Sequence, residues 1–180
     1  MILFSINVKA QTTAELDKKN GFKEIKLGTT FESLKSNLEL SNTFSSSVKR
    51  YKFTGDCCQT IFEYNVDEIH LLFSNDSLVM IFIYLEQFQK PYSESNKNTN
   101  WENTNFESIK KSFSLLFGQP SSTDMDDNTG NVIYNWIGEN VSLISKYEYL
   151  GLKAGDRQTI TVLMNDFIKT SGKKRAEEGF

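Results

Sequence analysis

Thr29-Thr30-Phe31-Glu32-Ser33-Leu34-Lys35 returns later in the chain as Thr104-Asn105-Phe106-Glu107-Ser108-Ile109-Lys110. Both copies read Thr-x-x-Glu. In that pattern the threonine hydroxyl accepts from the amide three residues on, and the glutamate reaches back to the cap amide. Behind each cap, apolar residues recur at helical spacing: Phe31, Leu34 and Leu38 in the first copy, Phe106, Ile109 and Phe113 in the second. A stripe of that period marks one buried face of an amphipathic helix. Gly118 and Pro120 stop the second helix in C-terminal order, whereas the first fades into Ser41-Asn42-Thr43. The spacing predicts equivalent helices over 31–40 and 106–117, and with them a duplicated chain.

Beyond each helix the apolar period falls to two, the period of a half-buried strand. In the first copy Tyr51 and Phe53 alternate before a Thr54-Gly55-Asp56 turn. Short strands follow over 60–64 and 68–73, then a turn at Ser74-Asn75-Asp76-Ser77 and a long strand over 78–85. In the second copy, a strand over 132–137 turns at Gly138-Glu139-Asn140 into another over 141–149. A loop over 151–157 leads to a last strand over 158–164. Ahead of the first copy, 14–19 reads as a short helix ending at Asn20-Gly21, and 22–27 as an edge strand. The expected fold class is therefore α+β: two similar units, each a capped helix on a three- to four-stranded antiparallel meander. The units run over 11–86 and 104–168, joined by an Asn/Ser/Lys-rich linker over 87–103 and followed by a charged tail over 169–180.

Leu78-Val79-Met80-Ile81-Phe82-Ile83-Tyr84-Leu85 is apolar on both faces. A strand with a helix on one side and water on the other should alternate. This one calls for cover on both sides, from the other unit or from a second copy in a homodimer.

A Gly-Thr-Thr cap, a Phe-Glu-Ser-Leu-Lys helix and a meander together resemble the small α/β repeat of β-lactamase-inhibitor-protein-like domains. Similar units occur in small outer-membrane-assembly lipoproteins and in secreted proteins of Gram-negative bacteria. The resemblance covers about residues 22–165 and implies a non-catalytic binding scaffold. It carries over no functional residue, and the anchoring cysteine of the lipoprotein members has no counterpart here.

Compartment and composition agree with that. Ile2-Leu3-Phe4-Ser5-Ile6 followed by Val8-Lys9-Ala10 reads as the end of a signal peptide over 1–10, with cleavage before Gln11 and a periplasmic or secreted product. The chain has 180 residues, a net charge of −3 and a pI near 5.3, which argues against a protein that coats nucleic acid. No apolar run approaches the ~20 residues of a membrane-spanning helix.

Reactive side chains are few. His70 is the single histidine, and a Ser-His-Asp site would have to use it; no Gly-x-Ser-x-Gly supplies the nucleophile elbow. On its strand His70 shares a face with Glu68 and Leu72, opposite Ile69, Leu71 and Phe73. Cys57 and Cys58 are adjacent. Their Cα atoms can stand only ~3.8 Å apart, below the usual disulfide range, so a bridge between them needs a distorted ring. The other readings are Cys58 inside with Phe62 and Tyr64 while Cys57 lies beside Gln59 and Glu63, an intermolecular bridge, or a metal. The acidic stretch 124–130 lacks the glycine at position 6 and the glutamate at position 12 of a calcium loop. Tyr134, Trp136, Tyr147 and Tyr149 would form either a ligand platform or sheet packing.

The expectation is an extracytoplasmic, non-catalytic module that binds a protein or small ligand, with no catalytic residue, cofactor or metal assigned. Two alternatives stand beside it. One is a small hydrolase or thiol enzyme using Cys57, Cys58 and His70. The other is a structural component of envelope assembly.

Overall fold

The structure, a computed structural model, describes residues 12–85, 105–126, 129–150 and 156–170. The signal stretch 1–10, the linker 87–103, Thr104, most of the loop over 151–157 and the tail from 171 lie outside the described residues.

The chain opens with helix α1 (Thr13–Lys19), which ends where Asn20 takes a left-handed conformation (φ 45°) and returns its amide to the Leu16 carbonyl. Strands β1 (Gly21–Phe22) and β2 (Ile25–Lys26) then form a tight hairpin where one edge strand over 22–27 was expected. Gly21 has φ 148°, and a Cβ there would lie 2.1 Å from the Ile25 carbonyl oxygen. Glycine is required for this close approach.

The first repeat does not form the helix its spacing predicts. Helix α2 spans only Phe31–Leu34 and buries none of its residues; a 3₁₀ turn, Lys35–Asn37, follows it. Leu38–Thr43 is strand β3, paired antiparallel with β4 (Val48–Phe53). The segment Leu38-Glu39-Leu40 fits a period of two as well as a helical period, and the ladder to β4 decides between them. Strand pairing overrides a weak helical preference. The cap also differs: Thr30, not Thr29, is the N-cap, and its hydroxyl accepts no helix N–H, meeting Ser33 Oγ instead. Thr29 instead uses its backbone, its carbonyl accepting from Leu78 N–H at 2.9 Å.

The two expected meanders are not separate helix-capped units. They merge into one nine-stranded antiparallel sheet. The first half contributes β3, β4, β5 (Thr60–Ile61), β6 (Tyr64–Ser74) and β7 (Ser77–Leu85). The second contributes β8 (Ser122–Asp126), β9 (Asn131–Ile137), β10 (Val141–Tyr149) and β11 (Asp156–Met164). The order is β3-β4-β6-β7-β11-β10-β9-β8, with β5 attached to β6. The halves join through their last strands, in a ladder from Thr159↔Tyr84 to Leu163↔Met80. The two-residue turn between β6 and β7 places Asn75 and Asp76 at positive φ, the geometry a twisted hairpin favours.

Helices α1 and α3 and the β1–β2 hairpin share one face of this sheet, whereas a short helix over 165–170, directly after β11, brings Ile168 to the other. Helix α3 (Asn105–Phe117) lays Phe106, Ile109, Phe113 and Phe117 onto it, each at most 4% exposed. Leu16 of α1 and Phe22, Ile25 and Leu27 around the hairpin belong to the same core as Leu71, Ile81, Ile83, Trp136 and Ile160. Trp136 donates its indole N–H to the Gly118 carbonyl at 2.8 Å, tying the end of α3 to β9. Asp17 of α1 accepts three backbone N–H bonds at 2.8 Å, from Glu139, Asn140 and Val141, and so holds the β9–β10 turn. Helices α1 and α3 thus leave the other face of the sheet uncovered at its centre.

Candidate functional site

The open face can be read across the sheet from its registers. One row runs Glu39, Lys52, His70, Phe82, Thr161, Ile144 and Asn135. The next runs Glu68, Tyr84, Thr159, Lys146 and Ile133. Met80, Phe82, Ile144, Leu163 and Ile168 give the middle an apolar floor, and the face curves into a trough of about 530 Å³. That volume lies within the range of small-molecule sites. A second hollow of about 350 Å³, lined by Arg50, Asp67, Glu68, His70, Tyr84 and Arg157, adjoins it and shares Tyr84 and Arg157.

Strand β7 is central to the sheet, and its two faces differ. Leu78, Ile81 and Ile83 are fully buried against the helices, whereas Met80, Phe82 and Tyr84 are only half-buried on the trough side. The second cover that its sequence calls for is absent among the described residues.

The polar end of the trough is a coupled cluster. Glu68 accepts from Lys52 Nζ at 2.6 Å and stands 3.0 Å from His70 Nε2. The Lys52 hydrogen bond, and after it the one from His70, hold the Glu68 carboxyl below its ordinary value, while Glu68 holds the Lys52 ammonium above its own. His70 is 9% exposed and packs edge-on against Tyr84. Arg50 donates to the Tyr84 hydroxyl at 2.7 Å and lies over the Phe82 ring, 4.8 Å from its centre. Two buried polar atoms here, Arg50 Nε and His70 Nδ1, have no hydrogen-bond partner among the described residues. Buried polar groups are nearly always satisfied, and both of these atoms belong to residues that line the smaller hollow.

The cysteines lie on the opposite side. Cys57 and Cys58 are bonded as a vicinal disulfide in the segment between β4 and β5, with Cys58 at φ 75° and buried in the core. Glu24 Oε2 stands 3.3 Å from Cys58 Sγ. These three residues form the one cluster of metal-ligating types among the described residues. As a disulfide, its sulfurs offer no thiolate. His70 faces the trough and Cys58 the helix-covered core, so the structure does not bring the cysteines and the histidine together.

The remaining sequence candidates take structural places. Tyr134, Trp136 and Tyr147 are core residues against α3, not an exposed platform; the Tyr149 side chain lies outside the described residues. The acidic stretch begins within edge strand β8, where Asp124 accepts from the Asn135 amide. Sequence reasoning missed Arg50, Tyr84 and Arg157. The available signal was the basic side chains interrupting apolar strands, as in Val48-Lys49-Arg50-Tyr51-Lys52.

No family model, curated protein or solved structure matches this chain.

Proposed function

We propose that this protein is a non-catalytic binding module that acts outside the cytoplasm and receives its ligand in the trough. The observation that carries the reading is an apolar floor on which Met80, Phe82 and Ile144 are only half-buried, in the middle of a sheet whose other face is packed at its centre. An isolated apolar side chain at a surface is ordinary, but a contiguous apolar floor with polar ends is the usual form of a binding surface. The non-catalytic part rests on His70. Among the described residues its Nε2 meets Glu68 and its Nδ1 has no partner, so none of their hydroxyls or thiols is bonded to it as a nucleophile would be. The hydrolase alternative needs Cys57 or Cys58 beside His70, and they occupy opposite faces. The extracytoplasmic part rests on the Val8-Lys9-Ala10 stretch and on the Cys57–Cys58 bridge, since disulfides persist in oxidising compartments.

The test uses Nile red, an uncharged apolar dye. Saturable one-to-one uptake by the folded protein is expected. Ile144→Asp, on the trough floor, should abolish uptake with an unchanged melting curve. A folded protein that takes no dye, or an Ile144→Asp variant that takes it equally well, would overturn the reading.

A further inference from the structure

We infer that the trough accepts a single-chain amphiphile, with its carboxylate head between Arg50, Arg157 and Tyr84 and its alkyl tail along Phe82 and Met80. This rests on the trough reading above and names its ligand class.

Charge marks the head-group end. Among the described residues, neither Arg50 nor Arg157 has a carboxylate within ion-pairing distance, although both line the smaller hollow. The nearby acids are largely engaged. Glu68 is held by Lys52 and His70. Glu148, directly across the ladder from Arg157, is 2.6 Å from Lys146. Asp67 is the one lining carboxylate of that hollow without an ion pair among the described residues. Two unpaired guanidiniums therefore face one free carboxylate. Guanidinium binds a carboxylate through paired N–H donors, in a geometry few other side chains match.

The donors are also held in place. The Tyr84 hydroxyl accepts from Arg50, which leaves its own O–H free to donate to a ligand oxygen. Arg50 lies across two aromatic rings, 4.8 Å and 5.8 Å from their centres, and this contact fixes its plane. His70, largely buried and with no partner at Nδ1 among the described residues, lines the same hollow. With Glu68 held by Lys52 and Arg50 half-buried, this end suits an anion.

The tail follows from the strand. From Tyr84 to Met80 the floor extends about 13 Å along β7. Phe82, Met80, Leu163, Ile144 and Ile168 line that course. It suits a medium-length alkyl chain lying along the strand. A compact anion such as acetate would leave it empty, and an uncharged alkane would leave both guanidiniums unpaired.

The experiment is titration calorimetry of the full chain with dodecanoate, dodecanol and dodecyltrimethylammonium, each below its micellar concentration. Dodecanoate should bind one-to-one, at least tenfold more tightly than dodecanol, and the cationic amphiphile should bind most weakly. Arg157→Met, at an exposed position that the fold does not depend on, should weaken dodecanoate about tenfold and leave dodecanol within twofold. Arg50→Met should do the same; Arg50→Lys should recover part of the loss, and Asp67→Asn should tighten dodecanoate. Equal binding of dodecanoate and dodecanol, or an Arg157→Met variant indistinguishable from the native protein, would overturn the head-group assignment while the trough reading stands. Failure of dodecanol, dodecanoate and Nile red alike would overturn both.

Discussion

Replacing Asp17 by alanine should destabilise the whole protein, although Asp17 lies in a short N-terminal helix that packs on the sheet through little more than Leu16. Its carboxylate is the sole side-chain acceptor for three consecutive backbone N–H groups, those of Glu139, Asn140 and Val141, all at 2.8 Å. A hydrogen bond to a charged group contributes roughly 1.5–3 kcal/mol net. The three share one carboxylate. The Glu139 and Asn140 donors lie in exposed surroundings where water can replace the acid, and only the Val141 donor is partly buried. The loss should therefore be about 2–4 kcal/mol, not the sum of three full bonds. For a chain of this size that lowers the melting temperature by roughly 5–15 °C. Asp17→Asn keeps one acceptor oxygen and should lose about half as much.

A second substitution separates this clamp from general damage to the helix. A Cβ on Gly138 would fall 2.7 Å from an Asp17 carboxylate oxygen, so Gly138→Ala must displace the acid. The two changes act on one interaction. Gly138→Ala should cost much less in the Asp17→Ala background than alone, a coupling that a double-mutant cycle on urea melts reads directly. An Asp17→Ala protein that melts within a degree of the native one, or strictly additive effects at 17 and 138, would refute the clamp.

Further expectations concern the two faces and the charged cluster. Ile81→Asp, at a fully buried position, should prevent folding as judged by circular dichroism, whereas Phe82→Asp on the trough side should fold and lose Nile red uptake. If sedimentation instead shows a dimer that Phe82→Asp dissociates, a second copy of the chain occupies the trough. The Glu68 carboxyl titrates below its ordinary value near 4.5, so its contribution is present above that value and disappears as pH falls through the depressed one. Glu68→Gln should therefore flatten the acid limb of melting temperature against pH, and an unchanged limb would deny the Lys52–Glu68–His70 coupling. Trp136→Phe should destabilise by about 1–3 kcal/mol in denaturant melts, since it leaves the Gly118 carbonyl without its donor.

Some of this architecture was legible because local chemistry and tertiary packing agree. The stripe Phe106, Ile109 and Phe113 gave α3, with Gly118 after it, because that helix has a whole sheet face to cover. The strands of the second half followed from clean alternation, as in Val132, Tyr134 and Trp136 against Ile133 and Asn135. The first helix failed where period and pairing disagree. Leu38 and Leu40 serve either state, and β3 forms because β4 offers it a ladder. Strand β8 was missed for a related reason: Ser122 to Asp126 is exposed throughout, so no burial pattern marks it. The merging of the halves into one sheet rests on the β7–β11 ladder, a pairing between distant segments that alternation alone does not specify.

The candidate site was illegible for a deeper reason. Arg50, Glu68, Tyr84 and Arg157 come from four strands, and only the order β4-β6-β7-β11 makes them neighbours. That order also explains why a trough can exist at the centre of the sheet without unfolding it. Stability is concentrated on the opposite face, where Leu71, Ile81, Ile83 and Ile160 are fully buried beneath the helices. Each such side chain contributes roughly 1.5–3 kcal/mol by burial. On the trough side Met80, Phe82 and Ile144 keep part of their surface in water, so the fold draws less from them. Successive residues along a strand alternate between the two faces, so a residue such as Phe82 can change in polarity while Ile81 and Ile83 hold the strand in place. Loss of binding in a trough variant that still melts normally therefore reports on the trough itself, and loss of binding with loss of folding does not.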